Sequence, residues 1–295
     1  MITPDEALGI GRFVHDVALL GLWGAFAYLA ALVPRDLALD VTERLNTLRV
    51  SALVLAIVTT IMALPLETAM IGDGWNDALN TVTLRAVLFE TSVGHAWQIQ
   101  GGAAVLLAAT LWMPVRARRI ATAAAAGLAL IALTFTGHAV MREGWLGAAH
   151  RFNDGLHLLS GGAWFGALVP LLPILRAFDD PKSHRAAGLA LRRFSAAGHG
   201  AVALVIATGI LNTALVLGRW PLDWTSPYQA LLAIKVVLVL TMVALALLNR
   251  YVVVPRLAPH SGSAARIIRD IAITEIVLGA MVIGLVSAFG LLEPA

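Results

Sequence analysis

Runs of apolar residues, each about as long as a bilayer is thick, alternate with short polar segments along the whole chain. The runs cover about Leu8 to Val33, Leu48 to Leu66, Gly94 to Val115, Ile120 to Val140, Arg151 to Leu175, Leu191 to Leu217, Tyr228 to Val254 and Ile267 to Leu292. A helix needs about 20 mostly apolar residues to cross hydrocarbon, and helices satisfy their own backbone polar groups there. The pattern therefore predicts an all-α integral membrane protein with eight transmembrane helices. Pro34, Pro114, Pro255 and Pro294 fall at run ends, where proline interrupts no helical ladder. The longest connection, about Glu67 to Ser92, is too short for a core of its own. Residues 1–295 thus read as a single transmembrane domain.

Composition agrees: 59% of the 295 residues are hydrophobic and 13% charged, which no soluble domain of this length matches. The net charge of +3 reads as the basic excess of cytoplasmic loops, not as a nucleic-acid footprint. One set of alternate loops holds Arg35, Arg44, Arg49, Arg116, Arg118, Arg119, Arg176, Lys182, Arg185, Arg192, Arg193, Arg250, Arg256, Arg266 and Arg269. The other set holds only Arg12, Arg85, Arg142, Arg151 and Arg219. The first set is expected inside and both termini outside, in the periplasm. Trp75, Trp145, Trp220 and Trp224 then all fall in outer loops, as an interfacial belt requires. The N-terminus, MITPDEALGI, lacks a basic stretch, so the first run is expected to be a retained helix. The absence of cysteine excludes disulfides and thiolate metal sites.

The candidate chemistry is imidazole at the outer ends of helices. His15, His95, His138, His150 and His157 all fall there. A polar ring inside a bilayer is costly and needs a partner. In RFNDGLHLLSGGAWFGAL, His150, Asp154 and His157 are spaced i, i+4, i+7 and share a helix face, with Gly161-Gly162 offering another helix close approach. Asp154 is placed to orient an imidazole, as metal-binding histidines require. His138 and Met141 are i, i+3 neighbours, and imidazole with thioether suits copper, whereas magnesium and calcium prefer oxygen. Deeper polar groups follow. Lys235, Met242 and Asn249 repeat every seven residues in one helix, while Glu275 and His199 lie within two others; together they mark a path inward. The competing reading of the same groups is a hydrogen-bonded network that only locks the bundle.

No P-loop, phosphorylated-aspartate motif or haem c attachment pattern is present. A haem-b electron carrier or metal reductase using the same histidines stays open as an alternative, since haem b needs only two facing histidines in a helical bundle. Short matches suggest a parallel four-plus-four helix repeat: Arg49-Val-Ser-Ala52 with Arg193-Phe-Ser-Ala196, Thr91-Ser92 with Thr225-Ser226, and His15…Trp23 with His157…Trp164.

Thr136 to Ala139 (TGHA), Asp154 to Leu171 (DGLHLLSGGAWFGALVPL) and Arg192 to Asn212 (RRFSAAGHGAVALVIATGILN) resemble the membrane protein of copper-resistance operons, the CopD family. The Tyr228…Lys235 stretch, Asn249-Arg250, Pro255 and the Glu275 region extend the resemblance over most of the chain. It implies a multi-pass protein of the bacterial inner membrane that moves copper, as Cu(I) or Cu(II), from periplasm to cytoplasm. The implied partner is a small periplasmic copper-binding protein, CopC. The function expected is a copper permease, not an enzyme. Copper would be received by His15, His138 and His157 with His95, Met141 or His150, with Asp154 orienting or balancing charge, and passed along Lys235, Met242, Glu275 and His199.

Overall fold

A computed structural model describes residues 2–136, 144–218, 223, 225–256 and 262–290. Among them there is no strand. The order is α1 (Pro4–Ala31), α2 (Arg35–Arg44), α3 (Asn46–Ile71), α4 (Thr81–Glu90), α5 (Ser92–Ala109), α6 (Val115–Leu133), α7 (Gly144–Ala177), α8 (His184–Leu217), α9 (Pro227–Leu248) and α10 (Gly262–Phe289). A helix occupies each of the eight predicted runs. Two further short helices, α2 and α4, fill connections expected to be irregular. Among the described residues, six helices are long and apolar enough to cross a membrane: α1, α3, α7, α8, α10, and α9 with its continuation to Arg256. The first half of α5 carries His95, Gln98 and Gln100, and α6 opens with Arg116, Arg118 and Arg119, so these two fall below that standard.

Local chemistry sets the helix ends. Pro4 and Pro227 take first-turn positions, where the missing N–H costs no bond. Asn80 Oδ1 accepts the Val82 N–H that opens α4, and Thr91 Oγ1 accepts that of Gly94 in α5. Gly218, with φ +63°, closes α8 in the left-handed conformation that glycine adopts without strain. Between α7 and α8, Asp180 accepts the Lys182 N–H at 3.1 Å and the Ser183 hydroxyl at 3.0 Å. Those two bonds hold its carboxyl below the usual range.

The bundle is built around α1, which packs on α7, α3, α6 and α10. At the α1–α7 crossing the backbones touch. A Cβ on Gly24 would sit 2.7 Å from the Gly166 Cα, and one on Gly166 would sit 2.8 Å from the Gly24 Cα. Gly162 completes the seam, under the side chains of Leu20 and Trp23. The predicted close approach at Gly161-Gly162 is thus made by Gly162; Gly161 faces Val205 on α8 at a looser distance. Trp23 bolts the seam by donating Nε1–H to the Leu159 carbonyl at 2.8 Å. By contrast, α8 leans on α7 and α9 leans on α10, while α8 and α9 scarcely touch each other.

Candidate functional site

His15 is buried on α1, with Nδ1 3.2 Å from the Ala56 carbonyl and 2.9 Å from Thr59 Oγ1 on α3. A carbonyl only accepts, and the Thr59 hydroxyl already donates to the Leu55 carbonyl at 2.7 Å. The shared hydrogen must therefore sit on Nδ1, which leaves Nε2 as the lone-pair nitrogen. His157 on α7 repeats the arrangement. Its Nδ1 lies 2.9 Å from Thr208 Oγ1 on α8, beside the Val205 carbonyl, and Thr208 donates to the Leu204 carbonyl. Both rings are anchored through Nδ1, which leaves Nε2 as the nitrogen free to ligate a metal ion.

The two stations are spaced alike. His15 precedes Gly24 in α1 by the same interval that separates His157 from Gly166 in α7. Ala56 and Thr59 stand in α3 as Val205 and Thr208 stand in α8. Because Gly24 and Gly166 meet at the seam, the two histidine stations flank one crossing point.

The α7 station is the richer. Asn153, buried, donates to the Thr208 carbonyl at 2.9 Å and to Asn212 Oδ1 at 2.6 Å. Asn212 in turn donates to Asp154 Oδ1 at 3.0 Å. The Lys235 ammonium on α9 acts electrostatically on both Asp154 and His157. Asp154 and His157 are thereby brought together, as their spacing predicts, with Asn153 as a partner that the sequence did not single out.

The other predicted groups are dispersed. His150 is buried on α7, and His95 is exposed at the start of α5. His138 and Met141 lie outside the described residues. Among the described residues no three of histidine, aspartate and glutamate gather closely enough to hold a metal ion. Nδ1 of His15 and Nδ1 of His157 are committed to different helices, α3 and α8.

At the arginine-rich end, where α8 and α9 separate, a cavity of about 270 Å³ opens between α7, α8, α9 and α10. Trp164, Ser195, His199, Asn249, Arg250 and Glu275 supply its polar lining. Glu275 is only 2% exposed; the Trp164 side chain bonds it, yet its Oε1 has no partner. Asn249 Oδ1 is buried and equally bare. Asn249 starts a wide π turn, Asn249–Val253, that continues α9. Arg250 is drawn across to α8, donating to Ser195 Oγ at 2.6 Å. His199 is exposed at the mouth, with Nε2 3.4 Å from the Tyr251 hydroxyl. Met242 lies buried between this cavity and the outer network, its Cε facing Gly279. Of the deeper polar groups, Glu275, His199, Asn249 and Ser195 line this cavity, while Lys235 and Met242 do not.

Residues 1–148 match a family model described as the N-terminal domain of copper resistance protein D-like proteins, and residues 188–289 match one described as copper resistance protein D. The inner membrane protein YebZ of Escherichia coli is 34% identical over 96% of this chain and 97% of its own length. Copper resistance protein D of Pseudomonas syringae is 31% identical over 93% of this chain and 91% of its own length. The copper transport protein CutJ of Bacillus subtilis is 32% identical over 66% of this chain but only 36% of its own length. No solved structure matches the chain.

Proposed function

This chain belongs to the copper resistance protein D family, and from that premise we propose that it is a permease of the bacterial inner membrane that carries copper towards the cytoplasm. The observation that carries the reading is the pair of anchored imidazoles, His15 and His157, each with Nδ1–H held by threonine and the Nε2 lone pair left to ligate. Such a nitrogen suits copper, and the hydrogen bond behind it fixes ring direction and raises basicity.

All eight predicted helices cross the bilayer, with both termini outside and the four-plus-four repeat expressed in the matched histidine stations. Copper enters at the outer ends of α1 and α7. His157 takes it first, with Asp154 balancing charge, and His150, His138, Met141 and His95 supply further donors at that face. Lys235 neutralises Asp154 when the metal has left. Met242 passes the ion inward to Glu275 and Asn249, which line the cavity, and His199 stands at the exit. The chain transports and performs no bond-making chemistry. A CopC-like periplasmic protein delivers the metal.

Two measurements test this reading. Elemental analysis of the purified protein should find bound copper in the wild type and less in a His15→Ala, His157→Ala variant of equal helical content. Cells producing that variant should also accumulate less copper than cells producing the wild type. Unchanged copper content in the variant would remove the assigned site.

A further inference from the structure

The arginine-rich end of the bundle holds a second polar cluster, remote from the copper route. Arg49 is 1% exposed, although it is an arginine on a spanning helix. Its Nε and Nη2 donate to Asn46 Oδ1 at 3.3 and 3.2 Å, and its Nη1 donates to the Thr110 carbonyl at 3.3 Å. Arg118, from the first turns of α6, donates Nη1–H to the same Asn46 oxygen at 3.2 Å. Two guanidiniums therefore converge on one neutral amide, close enough to repel each other.

No carboxylate among the described residues balances them. Among the described residues, the ion pairs are Arg12 with Glu67, Arg44 with Asp40 and Arg269 with Asp270; no carboxylate pairs with Arg49, Arg118 or Arg119. Moreover, donors are left over. Arg118 Nε, Arg119 Nε and Nη1, and Thr122 Oγ1 are all buried without a partner. Thr122 is completely buried. Residues 118, 119 and 122 occupy adjoining positions on one side of α6, where i and i+4 are neighbours. Buried donors in native proteins are almost always paired, and each orphan costs about 1–3 kcal/mol. Four orphan donors beside uncompensated positive charge at a helix N-terminus call for an oxyanion.

We propose that Asn46, Arg49, Arg118, Arg119 and Thr122 form a phosphate-binding site at the basic end of the bundle. Its occupant carries an anionic phosphate or phosphodiester, from a phospholipid headgroup or as free phosphate. Arg118 and Arg119 grip it as planar forks, Thr122 adds a hydroxyl, and Arg49 supplies charge from behind. Both α6 arginines are half-buried, so their outer edges remain within reach of the membrane surface. Basic recesses between spanning helices on the cytoplasmic side recognise headgroups in this way.

The experiment is thermal unfolding of the purified full chain in neutral detergent, with three separate additions: phosphatidylglycerol, phosphatidylcholine and inorganic phosphate. Phosphatidylglycerol at saturation should raise the melting temperature by about 5 °C, and zwitterionic phosphatidylcholine by much less. A matching rise with inorganic phosphate alone identifies free phosphate as the occupant; a rise with phosphatidylglycerol alone identifies the headgroup. The Arg118→Gln, Arg119→Gln variant should lose the response. Arg119→Lys, which keeps charge but loses the fork, should lose part of it, and so keeps the test decisive if the double variant does not fold. Arg116, exposed on the same turn, serves as the control, and Arg116→Gln should respond as the wild type does. The site is refuted if neither anion shifts the wild type, or if Arg116→Gln loses as much as Arg119→Lys.

Discussion

The α1–α7 crossing and the α8–α9 gap are opposite solutions within one bundle. At the crossing, Gly24, Gly162 and Gly166 bring two backbones into contact, and every methyl group that would separate them has been dispensed with. At the gap, α8 and α9 hardly meet, and beside the cavity between them two buried oxygens, of Glu275 and Asn249, have no partner. Helices in lipid gain little from apolar burial against one another, so close packing of small residues is what fixes their arrangement. The crossing supplies that fixity. The gap leaves one buried oxygen each of Glu275 and Asn249 without a partner, a costly arrangement that the rest of the bundle must hold in place.

The sharpest way to break this contrast is to place a leucine in each region. Gly166→Leu must displace the Gly24 backbone and should cost more than about 3 kcal/mol, seen as loss of the folded peak in size-exclusion chromatography. Ala246→Leu, in the cavity wall, should leave that peak intact while lowering copper accumulation in cells. Folded Gly166→Leu protein would show that the crossing is not the structural pivot.

Glu275→Gln separates stability from transport. It keeps volume and the Trp164 contact but removes an incompletely paired buried carboxylate. Its thermal stability should equal or exceed the wild type, by up to about 1–2 kcal/mol, while copper accumulation falls to the level of cells without the protein. Retained accumulation would leave the cavity without a part in the route.

A smaller effect tests the matched stations. His15→Ala and His157→Ala each remove one anchored imidazole and should each cost about 2 kcal/mol. Their sum should hold in the double variant, because the two rings bond to different helices. Strong non-additivity in thermal melts would mean that the stations share one site.

The sequence carried the apolar runs faithfully, because twenty residues of hydrocarbon-compatible side chain leave few other readings. It was poorer at their ends. α7 begins at Gly144 and α8 at His184, ahead of the predicted Arg151 and Leu191, since residues that precede the apolar stretches, His150 and Arg185 among them, already belong to the helices. α2 and α4 escaped notice because ten-residue helices lie below the length that hydropathy reports. Within the site, the face shared by Asp154 and His157 was legible from spacing alone. Thr59 and Asn153 were not read as site residues. Their roles depend on how two helices align lengthwise, which a single helix's periodicity does not encode. Gly24 was missed for the same reason: a lone glycine declares itself only when Gly166 is seen opposite.

The smallest effect belongs to neither region and calibrates the others. Asp180→Asn in the exposed α7–α8 turn should lower the melting temperature only slightly at neutral pH. Its folded carboxyl is held below the usual value, so the stabilisation is present above that value and fades as acid protonates the folded form. Melts of wild type and variant should therefore converge on acidification, and a difference that grew instead would contradict the Asp180 bonding pattern.

The broad turn at Asn249–Val253 has a geometric corollary. A π turn spends one residue more than a regular α turn, so everything after it is rotated by about 100° relative to an unbroken helix. Arg250 and Asn249 both line the chamber although neighbours in a helix normally diverge. Excising a single residue from this coil would re-clock the strand of side chains that follows, carrying Val254 off the chamber wall without altering one donor or acceptor upstream.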